Sequence, residues 1–141
     1  MEHHLTTYIT HDTLISALGF GTQENLEAIR NYHSGITLQT DKRIADTPLL
    51  AATLSQERLQ QQAEAIGVSG YPRMEQLFIL TINELIRQSG QTLEDKTCGL
   101  ILSTTKGNID LLARHTEHPD EAVFLWKMAE NIAGYFHAEE R

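Results

Sequence analysis

The chain has 141 residues, 40% of them hydrophobic, and its 11 Lys and Arg against 19 Asp and Glu give a net charge of −8. That length suits one domain with a real core, and the acidic balance excludes a duplex-binding face built on clustered cations. A lone cysteine, Cys98, excludes an internal disulfide, residues 1–10 lack a basic leader before an apolar run, and no apolar stretch nears the roughly 20 residues that span a bilayer. The expected class is a soluble cytoplasmic protein that partners neither nucleic acid nor membrane.

Residues 8–15 read as a short, half-apolar strand broken by His11-Asp12. Gly19 and Gly21 flank Phe20 in a turn, and Thr22 offers an oxygen to cap the helix that follows. Leu26, Ile29 and Tyr32 or His33 fall at helical spacing, with Gly35 as the stop. Ile36-Thr37-Leu38 and residues 49–54 are candidate short strands around an Asp41-Lys42-Arg43 turn.

Ser55 opens a polar helix closed by Gly67, its apolar stripe thin (Leu59, Ala63, Ile66) and its position superficial. Pro72 is placed to start the next helix. There Met74, Leu77, Phe78, Leu85 and Ile86, with Thr81 and Ile82 between, form the widest helical stripe, ending at Ser89-Gly90. This is the expected central buried helix. Residues 98–102 are a continuous apolar run bounded by turn signals, the pattern of a strand covered on both faces of an α/β sheet. Residues 108–112 start a short helix. Pro119-Asp120-Glu121 opens a last one, expected to run to about His137. The order of elements suggests one α/β unit, residues 1–141, with helices against a small, mostly buried sheet.

Seven histidines raise a metal site, but zinc needs three or four convergent ligands, and neither a Cys pair nor His-Glu-x-x-His is present. Pro119 breaks any helix that would align His115 with His118, and His3-His4 lies at the terminus. No metal and no cofactor is expected. Cys98, at the start of a buried strand, reads as a structural thiol rather than a nucleophile. Ser103, Thr104, Thr105, Lys106 and Gly107 sit where open α/β sheets bind ligands, between a strand and a helix. Backbone N–H groups could meet an anion there with Lys106 adding charge; a plain turn whose hydroxyls cap the next helix accounts for the same residues. The spaced glycines of a P-loop are absent.

Thr10, Ser16, Leu18-Gly19 and Ser34-Gly35-Ile36 resemble the opening of the β-ketoacyl synthases, the thiolase-like condensing enzymes of fatty-acid and polyketide synthesis. Met74 to Ile86 resembles the helix before that family's buried strand, Gly99 to Gly107 the strand and its Gly-rich exit, and Asn131-Ile132-Ala133-Gly134 the helix before the catalytic strand. The match is co-linear over nearly the whole chain. It departs at Thr10-His11-Asp12-Thr13, where the family has Thr-Gly-x-Gly, at Ala17 for a proline, and at Thr105-Lys106 beside the expected acyl pocket.

The resemblance implies the N-terminal portion of a thiolase-like layered fold, from a 3-oxoacyl-[acyl carrier protein] synthase that performs decarboxylative Claisen condensation. The family's cysteine nucleophile and its two histidines, or histidine and asparagine, match no residue up to Arg141, so no catalytic residue carries over. The implied partners are an acyl carrier protein or a synthase subunit, together with self-association through an unpaired sheet edge. Two alternatives stand beside it: a stand-alone partner that docks on a synthase or carrier protein, and an unrelated α/β domain sharing only turn patterns. Residues 8–15 and 98–102 belong to one sheet under the first reading and stand apart under the last.

Overall fold

The computed structural model describes residues 6–94, 97–114 and 120–138. Two small antiparallel sheets and four α-helices make a mixed α/β architecture. The first sheet is a minimal hairpin of β1 (Ile15–Ser16) and β2 (Gly19–Phe20), followed at once by α1 (Thr22–Arg30). The second pairs β3 (Ile36–Gln39) with β4 (Leu49–Ala52), Ile36 opposite Ala52 and Gln39 opposite Leu49. Its connection holds the expected polar turn. Asp41 accepts the Arg43 backbone N–H at 2.9 Å and grips the guanidinium.

The core lies among the helices. Ser55 caps α2 (Gln56–Ala65), its hydroxyl accepting the Arg58 N–H at 3.2 Å. Pro72 precedes α3 (Arg73–Ser89), whose last turn closes on Gly90 at φ 68°, a left-handed conformation that glycine adopts without steric penalty. Ala63 and Val68, Ile79 and Ile82 of α3, and Met128, Ile132 and Phe136 form one buried cluster. The last three come from α4 (Leu125–Tyr135) and its C-cap. Tyr135 sets the docking angle of α4. Its hydroxyl donates to the Ile66 carbonyl at 3.3 Å and its ring meets Tyr71 edge-on at 6.0 Å.

The β3–β4 pair, α2 and its Ser55 cap, and the central α3 all follow the sequence reading. Several expectations are corrected. Residues 8–15 contribute only Ile15 to a strand, and Tyr8 and Ile9 are exposed. Thr22 is the first residue of α1 rather than its cap. Gly21 takes the cap position, and the Thr22 hydroxyl reaches the Asp12 carboxylate at 2.6 Å. That helix ends at Arg30, before Gly35, and Tyr32 turns out at φ 57°. Its expected apolar stripe is largely open to solvent, with Tyr32 97% exposed.

The last helix is not continuous. Phe124 adopts an extended conformation (φ −74°, ψ 137°), dividing a 3₁₀ turn, Glu121–Val123, from α4. Asp120 caps that turn by accepting the Ala122 N–H at 3.0 Å. Trp126 faces solvent. The largest departure is at residues 98–102, which form no strand and share no sheet with residues 8–15. An apolar run becomes a ladder only where a second strand meets its N–H and C=O groups, and neither hairpin lies alongside. Leu100 and Leu102 still pack on the helical core. The covered sheet interior is thus replaced by two separate hairpins, and the β3 strand is mostly exposed. His3, His4, His115 and His118 lie outside the described residues.

Candidate functional site

The loop singled out in sequence is a compact turn. Thr104 Oγ1 accepts the N–H groups of Lys106 at 3.2 Å and Gly107 at 3.1 Å. Its hydroxyl therefore closes the turn itself, the plainer of the two readings. Gly107 has φ 55°, and a Cβ there would lie 2.6 Å from Leu125 Cδ2. Lys106 and Gly107 line a shallow pocket of about 280 Å³ with Leu54, Arg73, Met74 and Leu77. Lys106, Arg73 and the acidic Asp110 are exposed residues of this pocket, beside apolar Leu54, Met74 and Leu77. Ser103 and Thr105 are exposed and take no part in it, and Thr104 acts only through the turn. No strand precedes this loop, so the strand-end geometry expected for it is absent.

One residue further on, the chain enters a buried polar cluster that the sequence reading missed. Glu75, in the first turn of α3, shares the inward face with Ile79 and Ile82 and is fully buried. Asn108 Nδ2 donates to Glu75 Oε1 at 2.7 Å and to the Ala122 carbonyl at 2.8 Å. From α4, Asn131 Nδ2 lies 3.3 Å from each carboxylate oxygen. Burial pushes the Glu75 carboxyl above its ordinary 4.5, against the pull of the two amides and the Lys127 charge. Asn108 Oδ1 is buried with no hydrogen-bond partner.

A buried carboxyl of raised pKa can act as a general acid. Glu75 and Asn131 do line a shallow groove with Gly67, Gly70, Tyr71 and Pro72. Both carboxylate oxygens are nonetheless engaged by amides, so what the cluster does chemically is join three segments far apart in sequence. The signal was present as a carboxylate at position 75 in register with Ile79 and Ile82, the i, i+4, i+7 spacing of one helix face.

A second node orders the N-terminal unit. Asn25 is buried on α1, its Nδ2 donating to the carbonyls of Gly21 at 2.8 Å, Gly19 at 3.0 Å and Leu14 at 3.2 Å. Its Oδ1 accepts the Ser16 hydroxyl, and Ser16 Oγ in turn accepts the Leu18 N–H at 3.0 Å. The Ala17-Leu18 turn lies against Gly35, where a Cβ would come 3.0 Å from that of Ala17. Arg58 of α2 binds Glu24 at 2.6 Å and stacks over Phe20 at 4.9 Å, fastening the unit to the helical core.

Among the described residues, no group of three or more His, Cys, Asp and Glu is placed to hold a metal ion. Nor is any helix among them long and apolar enough to cross a membrane. Cys98 is a free, half-buried thiol that lies in no helix or strand, not at the head of a buried strand. Comparison with protein-family models, curated proteins and solved structures returned no match.

Proposed function

We propose that this chain is a non-catalytic N-terminal portion of a condensing enzyme of the 3-oxoacyl-[acyl carrier protein] synthase type, with the thiolase-like layered fold as its full context. One observation carries the reading. Three of the segments that resemble that family meet at one buried carboxylate: the start of the Met74 helix through Glu75, the loop exit through Asn108, and the Asn131–Gly134 stretch through Asn131. Against it, residues 8–15 and 98–102 share no sheet, the arrangement expected of an unrelated α/β domain, which therefore stands as the second reading. The Asn25 node adds a second meeting point, since it builds the Ser16 to Gly19 turn from within.

In this role the chain positions helices and supplies no nucleophile. Its partner is an acyl carrier protein or a synthase subunit, and its compartment is the cytoplasm. The exposed cation Lys106 at an apolar pocket suits a rim contact more than an acyl tunnel, because a buried ammonium beside a hydrocarbon chain is unfavourable.

The test combines the gene and an assay. A reading frame that continues past Arg141 into a strand-to-helix turn bearing Cys, followed by two His or His and Asn, supports the proposal. So does absence of malonyl-dependent condensation by the chain alone, with activity in the longer protein. A frame closing at Arg141, with saturable binding to a carrier protein or synthase, replaces the proposal with the stand-alone partner. A closed frame and no such binding leaves the unrelated α/β domain.

A further inference from the structure

Residues 98–103 lie in no helix or sheet, yet their burial is patterned like that of a strand. Burial alternates along them: Cys98, Leu100 and Leu102 are half-buried, while Gly99, Ile101 and Ser103 are exposed. That period of two is the signature of a pleated strand with one face on a core. The inward face is real, because Leu100 and Leu102 pack against the helical cluster. Yet none of these six residues makes a hydrogen bond within the chain's described residues. Ile101 is 93% exposed, an apolar side chain in the middle of a free backbone edge.

Such an edge selects its own occupant, since extended backbone with unmet N–H and C=O groups is completed by another strand. We propose that this occupant is the same segment of a second copy, paired antiparallel about a two-fold axis. Three features point to self-pairing, and none of them depends on the function proposed above. An isologous pair satisfies two identical unpaired edges at once. The segment is uncharged from Thr97 to Thr105, so two copies of a chain of net charge −8 can meet there without like charges opposed. An axis on Leu100 sets Gly99 against the partner's Ile101 and Cys98 against the partner's Leu102, keeping inward residues opposite inward ones.

Natural edges that must stay single carry an outward charge, most often lysine. Position 101 carries isoleucine. The pairing is a short one, so association on the order of 1–100 µM is expected.

The experiment is sedimentation velocity on the full chain over a concentration series, beside Ile101→Lys. The wild type is expected to shift from monomer to dimer, and the variant to bind itself at least about tenfold more weakly. Circular dichroism should be unchanged, since this side chain touches little. Register is read by mixing Gly99→Cys with Ile101→Cys, each in a Cys98→Ser background, under mild oxidant. A disulfide joining the two different variants supports the pairing. Gly99 has open space around it for the added atoms. A wild type monomeric through about 100 µM, above the expected association range, overturns the proposal. So does a dimer unaffected by Ile101→Lys, or a dimer that yields no mixed disulfide.

Discussion

Asn108 donates its side-chain amide to Glu75 at 2.7 Å across 33 positions of sequence, inside the core and away from solvent. The bond fixes the end of the 103–107 turn onto the first turn of α3, and Asn131 adds α4 to the same carboxyl group. Removing the carboxyl takes an acceptor from the buried Asn108 amide and from the half-buried Asn131 amide at once. Glu75→Ala is therefore expected to destabilise the fold by about 2–4 kcal/mol, whereas Glu75→Gln, which can still accept from one amide, should lose less than half of that. Urea unfolding of both variants checks the order.

The same carboxyl predicts a pH dependence of definite sign. Its pKa in the folded chain is raised above the ordinary 4.5 by burial, so the folded state holds that proton more tightly than the unfolded state. Its contribution is full below about pH 4.5 and falls as pH rises through the folded value. Glu84 runs the opposite way. Arg87 and Gln88 bind its carboxylate and hold it at about 2, so the stability it adds at neutral pH disappears as pH falls from 4.5 toward that value. Glu75→Gln should flatten the loss on the alkaline side only, measured as unfolding free energy between pH 4 and 8.

At the N-terminal unit, the Asn25 amide donates to the Gly19 carbonyl and to those of Leu14 and Gly21, which also accept the backbone N–H groups of Gly21 and Asn25. Asn25→Asp would set a carboxylate against the carbonyls of Gly19 and Gly21, and should be more damaging than Asn25→Ala despite its shape. A loss of about 2–4 kcal/mol is expected for Asp and about 1–3 for Ala. Thermal unfolding of the two variants, both well above the pH at which the new carboxyl is protonated, decides between charge and shape.

Gly107→Ala combines a left-handed backbone with a Cβ placed 2.6 Å from Leu125, and should cost about 1–3 kcal/mol. Leu125→Ala in the same chain removes the steric part and leaves the backbone part. A double-mutant cycle in which the two effects simply add would show that the contact with Leu125 is unimportant.

Arg58 joins Glu24 and Phe20 but is partly exposed, so Arg58→Ala should lose only about 0.5–1 kcal/mol. Most of that loss should disappear in high salt if the ion pair is its source. A loss unchanged by salt would assign it to stacking on the Phe20 ring.

What was legible in the sequence was legible for local reasons. Ser55 and Gly67 bound α2 because a hydroxyl cap and a left-handed glycine act within a few residues. The β3–β4 hairpin was readable because its apolar runs flank a turn in which Asp41 grips Arg43. The stripe on α3 was visible because helical spacing repeats along one segment. The candidate loop was readable as a turn. Its link to Glu75 was not, since the carboxylate lies 33 positions from its amide partner.

Composition and local pattern thus determined on their own that this acidic chain forms a mixed α/β architecture, where α2 and α3 begin and end, and which turn holds Lys106. Only the tertiary structure decided that residues 98–102, written as a buried strand, stay unpaired. A strand is completed by hydrogen bonds to another segment, and no property of its own residues supplies them. The tertiary structure also decided that Glu75, on the same face as Ile79 and Ile82, is buried. Burying that charge is tolerable only because Asn108 and Asn131 arrive from distant parts of the chain to bind it.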